Sequence, residues 1–231
     1  MLSSNRCAKS TASVFCGLLF VSVTWSSGSQ GPTLEHLQKQ LEEEYVAIQR
    51  VFANGPGHRT FPPDPHERIR QWQEELSQAF AQAQATAEQI LKLHPSDEAA
   101  WQEMADTMRL YAQPVSPPQT RTVFGVTEVQ KKARLLQTPL AEIPPGSQPA
   151  KTKGEVRLRL VLAQDRTVKY IFPMKPLGGG LTEAAIAAAK KIQFEPAIRN
   201  GVPVSQFLTL SYEFKRGRSY PPYVPHPEFF F

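Results

Sequence analysis

Between Gly154 and Phe214 the hydrophobic pattern changes period twice, and few folds accept that change. Residues 155–162 alternate, with Val156, Leu158, Leu160 and Leu162 on one side and charges on the other, as in a half-buried strand. After a turn at 163–167, Val168–Phe172 returns as a second strand, which makes a hairpin. Gly178-Gly179-Gly180 then leads into an alanine-rich helix reaching Ile192, with Thr182 placed to cap it. Its small face suits close packing on a sheet, and Lys190 and Lys191 suit the negative end of the helix dipole. Asn200-Gly201 predicts a tight hairpin turn, because both residues tolerate positive φ. The long strand Val204–Phe214 follows, with Val204, Leu208, Leu210, Tyr212 and Phe214 expected inward and Ser205, Phe207, Thr209, Ser211 and Glu213 outward. The order β-β-α-β, with one helix on one face of a small antiparallel sheet, is an α+β module.

An α-helical segment is predicted ahead of it, over residues 33–112. Leu34, Leu37, Leu41, Tyr45, Ile48 and Phe52 share one helical face, Thr33 can cap the start, and Asn54-Gly55-Pro56-Gly57 ends the run. A second helix opens at Asp64-Pro65, with Ile69, Trp72, Leu76, Ala79, Ala83, Ala87 and Ile90 as its stripe. A third places Trp101, Met104, Met108 and Tyr111 inward. Three helices with short connections form a small bundle or a coiled-coil arm. The Ala/Gln-rich stretch from Ser77 to Gln89 needs a partner surface, either within the chain or in a second copy as a homo-oligomer. Residues 31–120 carry a net −6 and residues 121–219 a net +10, which predicts two separate modules joined by a Pro-rich linker at 113–128.

At the N-terminus, Arg6 and Lys9 precede the uncharged run Ala12–Trp25 and a small polar stretch, the shape of a secretory signal over residues 1–29. Cleavage is placed after Ser29; the rival is an uncleaved single-span anchor formed by residues 12–25. On either reading residues 31–231 lie outside the cytoplasm. The C-terminal segment 217–231 is rich in Pro and aromatic residues, and either binds back over the sheet edge or serves as a ligand for another protein.

The chemistry-bearing motifs are few. Both cysteines lie within the first 16 residues, so the folded body has no thiol for a disulfide, a zinc site or a nucleophile. The three glycines at 178–180 are not followed by Lys-Ser/Thr, so they are no P-loop. The five histidines have no metal-ligand spacing, and no GxSxG elbow occurs. No catalytic residue, metal or cofactor is expected. The basic charge over 121–219 could meet any anionic surface, and no nucleic-acid partner is expected.

The stretches Gly180-Leu181-Thr182-Glu183-Ala184-Ala185-Ile186, Ala189-Lys190-Lys191-Ile192-Gln193-Phe194-Glu195-Pro196-Ala197 and Asn200-Gly201-Val202-Pro203-Val204-Ser205 closely resemble the TonB C-terminal domain family. Gly154–Leu158 resembles its first strand and Leu210–Phe214 its last, so the resemblance covers roughly 129–216. It departs at Ile143-Pro144-Pro145, where members carry a Tyr-Pro segment, and at Asp165-Arg166, where Asp-Gly is common. The resemblance implies an energy transducer of the Gram-negative envelope that binds an extended segment of an outer-membrane transporter and receives force from an inner-membrane motor complex. The same resemblance implies the periplasm for residues 31–231 and the inner membrane for an uncleaved anchor at residues 12–25. It also implies strand addition along Val204–Phe214, with Ser205, Phe207, Thr209, Ser211 and Glu213 as partner-binding residues. The alternative is a soluble periplasmic adaptor that oligomerises through its helices and transduces no energy.

Overall fold

The computed structural model describes residues 31–55, 65–113, 122–145 and 153–225. The expectations for residues 1–29, for a cap at Asp64 and for the terminal phenylalanines lie outside these residues. Among the described residues no helix is long and apolar enough to cross a membrane, and no three His, Cys, Asp or Glu residues are grouped to hold a metal.

Three helices come first: α1 (Leu34–Ala53), α2 (Pro65–Lys92) and α3 (Glu98–Ala112). Thr33 caps α1 by accepting from the His36 N–H at 3.3 Å, and Asp97 caps α3 by accepting from the Ala100 N–H at 3.2 Å. The predicted stripes are inward, and Ala83, Ala87 and Ile90 are fully buried. The inner part of the alanine face is therefore covered within the chain, while Ala81 and Ala85 stay exposed. Phe80, which the predicted stripe omits, is also fully buried, and it stacks on Tyr111 with ring centres 5.1 Å apart.

Among the described residues eight strands follow: β1 (Val123–Phe124), β2 (Arg134–Gln137), β3 (Gly154–Leu162), β4 (Val168–Lys175), β5 (Gln193–Glu195), β6 (Ala197–Arg199), β7 (Val202–Lys215) and β8 (Arg218–Ser219). The helix α4 (Leu181–Ala189) stands between β4 and β5. The main sheet runs β1-β7-β3-β4, with β6 and β8 also on β7, and β2 pairs with β5 in a separate two-stranded sheet. The whole is α+β. The β3–β4 hairpin turns at Arg166, whose φ of 66° is the left-handed conformation usually left to glycine. Asn200 and Gly201 supply the positive φ values of the β6–β7 hairpin turn.

Thr182 lies inside α4 rather than capping it. The cap position belongs to Gly180, and the Thr182 hydroxyl is 2.8 Å from both the N–H and the carbonyl of Leu177. Gly180 has a φ of 76°, and an added Cβ would lie 2.9 Å from Pro144.

The sheet is covered on both faces. Under α4, Val156, Leu158, Leu160 and Leu162 meet Leu208, Leu210, Tyr212 and Phe214 together with Leu181, Ala185 and Ala189. The opposite face meets the helices, where Phe172 and Met174 of β4 join the buried core of α1–α3. Phe172 sits 4.7 Å from the Tyr45 ring and 5.0 Å from Phe80. The described residues from Pro32 onward therefore form one compact unit instead of the two separate modules that the charge division predicts. Net charge reports on the exposed surface, whereas aromatic side chains on β4 make the junction.

Candidate partner-binding rim

The predicted partner-binding strand is β7, and its two rims are held differently. Toward β3 it pairs without interruption from Gly154↔Phe214 to Leu162↔Gln206. Its outer rim is met by short pieces. These are β1 in parallel opposite Ser205 and Gln206, Tyr223 opposite Ser211, and β8 opposite Phe214 and Lys215; β6 pairs with Val202–Val204, beyond the end of the β3 ladder. Of the two readings of the C-terminal segment, residues 218–223 follow the first, folding back over the sheet edge, so the rim of the last strand is not bare. Exposed strand edges invite association, and covering them is a common defence.

The outward-facing assignment is corrected as well. Ser205 is half-buried, and its hydroxyl accepts from the Gln164 N–H at 3.1 Å. Phe207 lies under α3, 5.8 Å from the Tyr111 ring, with the Arg159 guanidinium 4.9 Å from its own ring centre. Thr209 is 1% exposed and accepts from Arg159 Nη1 at 2.9 Å, while Ser211 is fully buried. Glu213, half-buried, accepts from Lys215 Nζ at 2.6 Å. Alternation identifies the second face of a strand, but it does not say whether another layer covers that face. Here α3 covers it at Phe207, Thr209 and Ser211 are buried beside Arg159 and Arg157 of β3, and the side chains are not offered to solvent as predicted.

What remains at the rim is backbone, together with one polar cluster that the sequence reading missed. Ser211 donates its N–H to the Tyr223 carbonyl at 2.9 Å and accepts from the Tyr223 N–H at 3.1 Å. Two residues on, the Glu213 carbonyl accepts from the Tyr220 N–H at 3.0 Å. Beside them Glu155 accepts from the Tyr223 hydroxyl at 3.0 Å, from Arg157 at 3.1 Å and from Lys175 at 3.1 Å. Burial works to raise the Glu155 pKa, but hydrogen bonds from Ser211, Lys175 and Arg157 and the Arg157 charge outweigh it and hold the carboxyl at about 2. Burial, with the neighbouring Glu155 carboxylate, pushes the Tyr223 phenol up. The only sequence signal for this cluster was Tyr220-Pro221-Pro222-Tyr223, whose prolines favour an extended chain.

The strands β3, β4 and β7, with α4 against them, fall within residues 144–215, which match the family model of the Gram-negative bacterial TonB protein C-terminal. This segment is a TonB C-terminal family domain. The family is one of non-enzymatic interaction and energy-coupling domains of the bacterial envelope. The match spans just under a third of the chain and leaves α1–α3 outside it. No curated protein and no solved structure matches the chain.

Proposed function

We propose that the protein works in the periplasm as a TonB-family envelope protein whose C-terminal domain binds an extended segment of an outer-membrane transporter, in the service of transmembrane transport and without catalysis. The partner segment adds as a strand along the outer rim of β7. Residues 1–29 serve as the export signal or as the anchor that connects the chain to an inner-membrane motor complex. The observation that carries this reading is the unequal hold on β7. Nine consecutive residues of β3 fix one rim, whereas β1, β8 and Tyr223 contact the other through one or two residues each. Backbone hydrogen bonds supply affinity in strand addition, and short pairings are the ones a peptide can replace.

The experiment is a cysteine scan. The described residues contain no cysteine, so Lys215→Cys at the exposed end of β7 places a single thiol in the folded body. Synthetic peptides from the periplasmic N-terminal segments of outer-membrane transporters each carry one cysteine at successive positions. Strand addition predicts crosslinks that alternate with a period of two, as in an extended chain. Absence of crosslinking to every peptide, or crosslinking without that alternation, contradicts the reading.

A further inference from the structure

The segment that follows β7 does what an incoming strand would do. After the turn at Arg216 and Gly217, β8 pairs Ser219 with Phe214 and Arg218 with Lys215. Tyr220 then donates to Glu213, and Tyr223 exchanges both backbone hydrogen bonds with Ser211. The side chains add to this. The Tyr223 hydroxyl donates to Glu155, the Lys215 ammonium lies 5.7 Å from the Tyr220 ring centre, and Val224 rests on the core beneath α4.

The attachment is nevertheless slight. Pro221 and Pro222 have no N–H to offer β7, so the ladder breaks between Tyr220 and Tyr223. Tyr220 and Tyr223 remain 42% and 48% exposed, while Glu155, which receives the phenol, is mostly buried and does not depend on Tyr223 alone for its charge partners. The polar receptor is thus built into the sheet, and its occupant lies on the surface.

We infer that residues 218–224 are a built-in competitor for the outer rim of β7, and that the partner displacing them is an extended peptide presenting a tyrosine opposite Ser211 whose hydroxyl reaches Glu155. This rests on the strand-addition reading and sharpens it by naming a register and a side chain. A tethered segment competes at a high effective concentration, so the free rim is available only when the segment has lifted off.

The test uses the chain's own segment as probe, a fluorescent peptide of residues 217–225. A chain ending at Gly217 is expected to bind it saturably, and the full chain about tenfold or more weakly because its own segment competes. A peptide with Tyr223→Phe is expected to bind about fivefold more weakly, since it leaves the Glu155 carboxylate without that donor. Equal binding to the two chains, or no binding to a shortened chain that melts cooperatively, overturns the inference. If the shortened chain does not fold, Tyr223→Pro in the full chain removes the N–H given to Ser211. Peptide binding is then expected to appear, and its absence overturns the inference. Transporter peptides separate the two readings. If the chain's own peptide binds and no transporter peptide competes with it, the proposed partner falls while the built-in occupant stands.

Discussion

At β4 the sheet is finished by the helices, whereas along the outer rim of β7 it is finished by a few residues of neighbouring chain. Pro173 of β4 has no N–H, and its carbonyl accepts from Gln49 of α1 at 3.0 Å. Tyr170 sits in the left-handed region with a φ of 52°, where its carbonyl accepts from the Tyr111 hydroxyl of α3 at 2.9 Å. These contacts come from side chains rooted in an aromatic core, so opening that edge requires moving buried helices. The β7 rim is covered by β1, whose Val123 and Phe124 are themselves buried, and by the segment 218–224, whose only side chain packed on the core under α4 is Val224. The comparison teaches that one molecule can close two strand edges for different reasons. One closure is anchored in a buried core, and the other, on the strand-addition proposal, is a place kept for exchange.

The largest expected effect breaks the permanent side. Phe172→Ala removes the ring shared by the sheet and the helices and is expected to cost about 3–5 kcal/mol in denaturant melts. Because the two layers share this core, far-ultraviolet and tryptophan fluorescence signals should melt together in the parent protein. Separate transitions in the parent would argue that helices and sheet are independent modules after all.

An intermediate effect belongs to the exchangeable side. Glu155 has a folded pKa of about 2 against an ordinary 4.5, a depressed carboxyl, so its contribution is fully present above pH 4.5 and is lost as pH falls toward 2. Stability is expected to drop across that window by on the order of 1–3 kcal/mol more in the parent than in Glu155→Gln. Identical pH profiles would show that the cluster does not hold the carboxylate as described.

Much of this architecture was legible in the sequence. The alternation of Val156–Leu162 and Leu208–Phe214, the glycines before α4 and the Asn200-Gly201 turn are local signals, and local signals fixed the matched domain. The covering of the second sheet face was not legible, because it depends on Phe172 meeting Tyr45 and Phe80 from elements far away in the chain. Thr209 and Ser211 read as outward polar residues for a similar reason, since their burial beside Arg159, Arg157 and Tyr223 left no mark on their own period. The parallel pairing of Val123 and Phe124 within a Pro-rich stretch was equally silent, since two residues are too few to show a period.

Two smaller effects sharpen the contrast. Tyr111→Phe removes the hydroxyl that closes the β4 edge at Tyr170 and is expected to cost about 1 kcal/mol in urea melts while leaving peptide binding at β7 unaltered. A change in that binding would mean that the two edges are coupled. Arg166→Gly relieves the left-handed turn but loosens the unfolded chain, so the stability read from denaturant melts is expected to change by less than about 1 kcal/mol in either direction. A larger loss would assign the Arg166 side chain a role in the hairpin beyond the turn geometry.

The most direct measurement is residue-resolved hydrogen exchange on the full chain as denaturant is raised. The Ser211 N–H, held only by Tyr223, is predicted to exchange through a local opening that is insensitive to low denaturant, while amides within the β3–β7 ladder exchange only on global unfolding. Ser211 protected to the same degree as that ladder, with the same denaturant dependence, would contradict a detachable cover on the rim of β7.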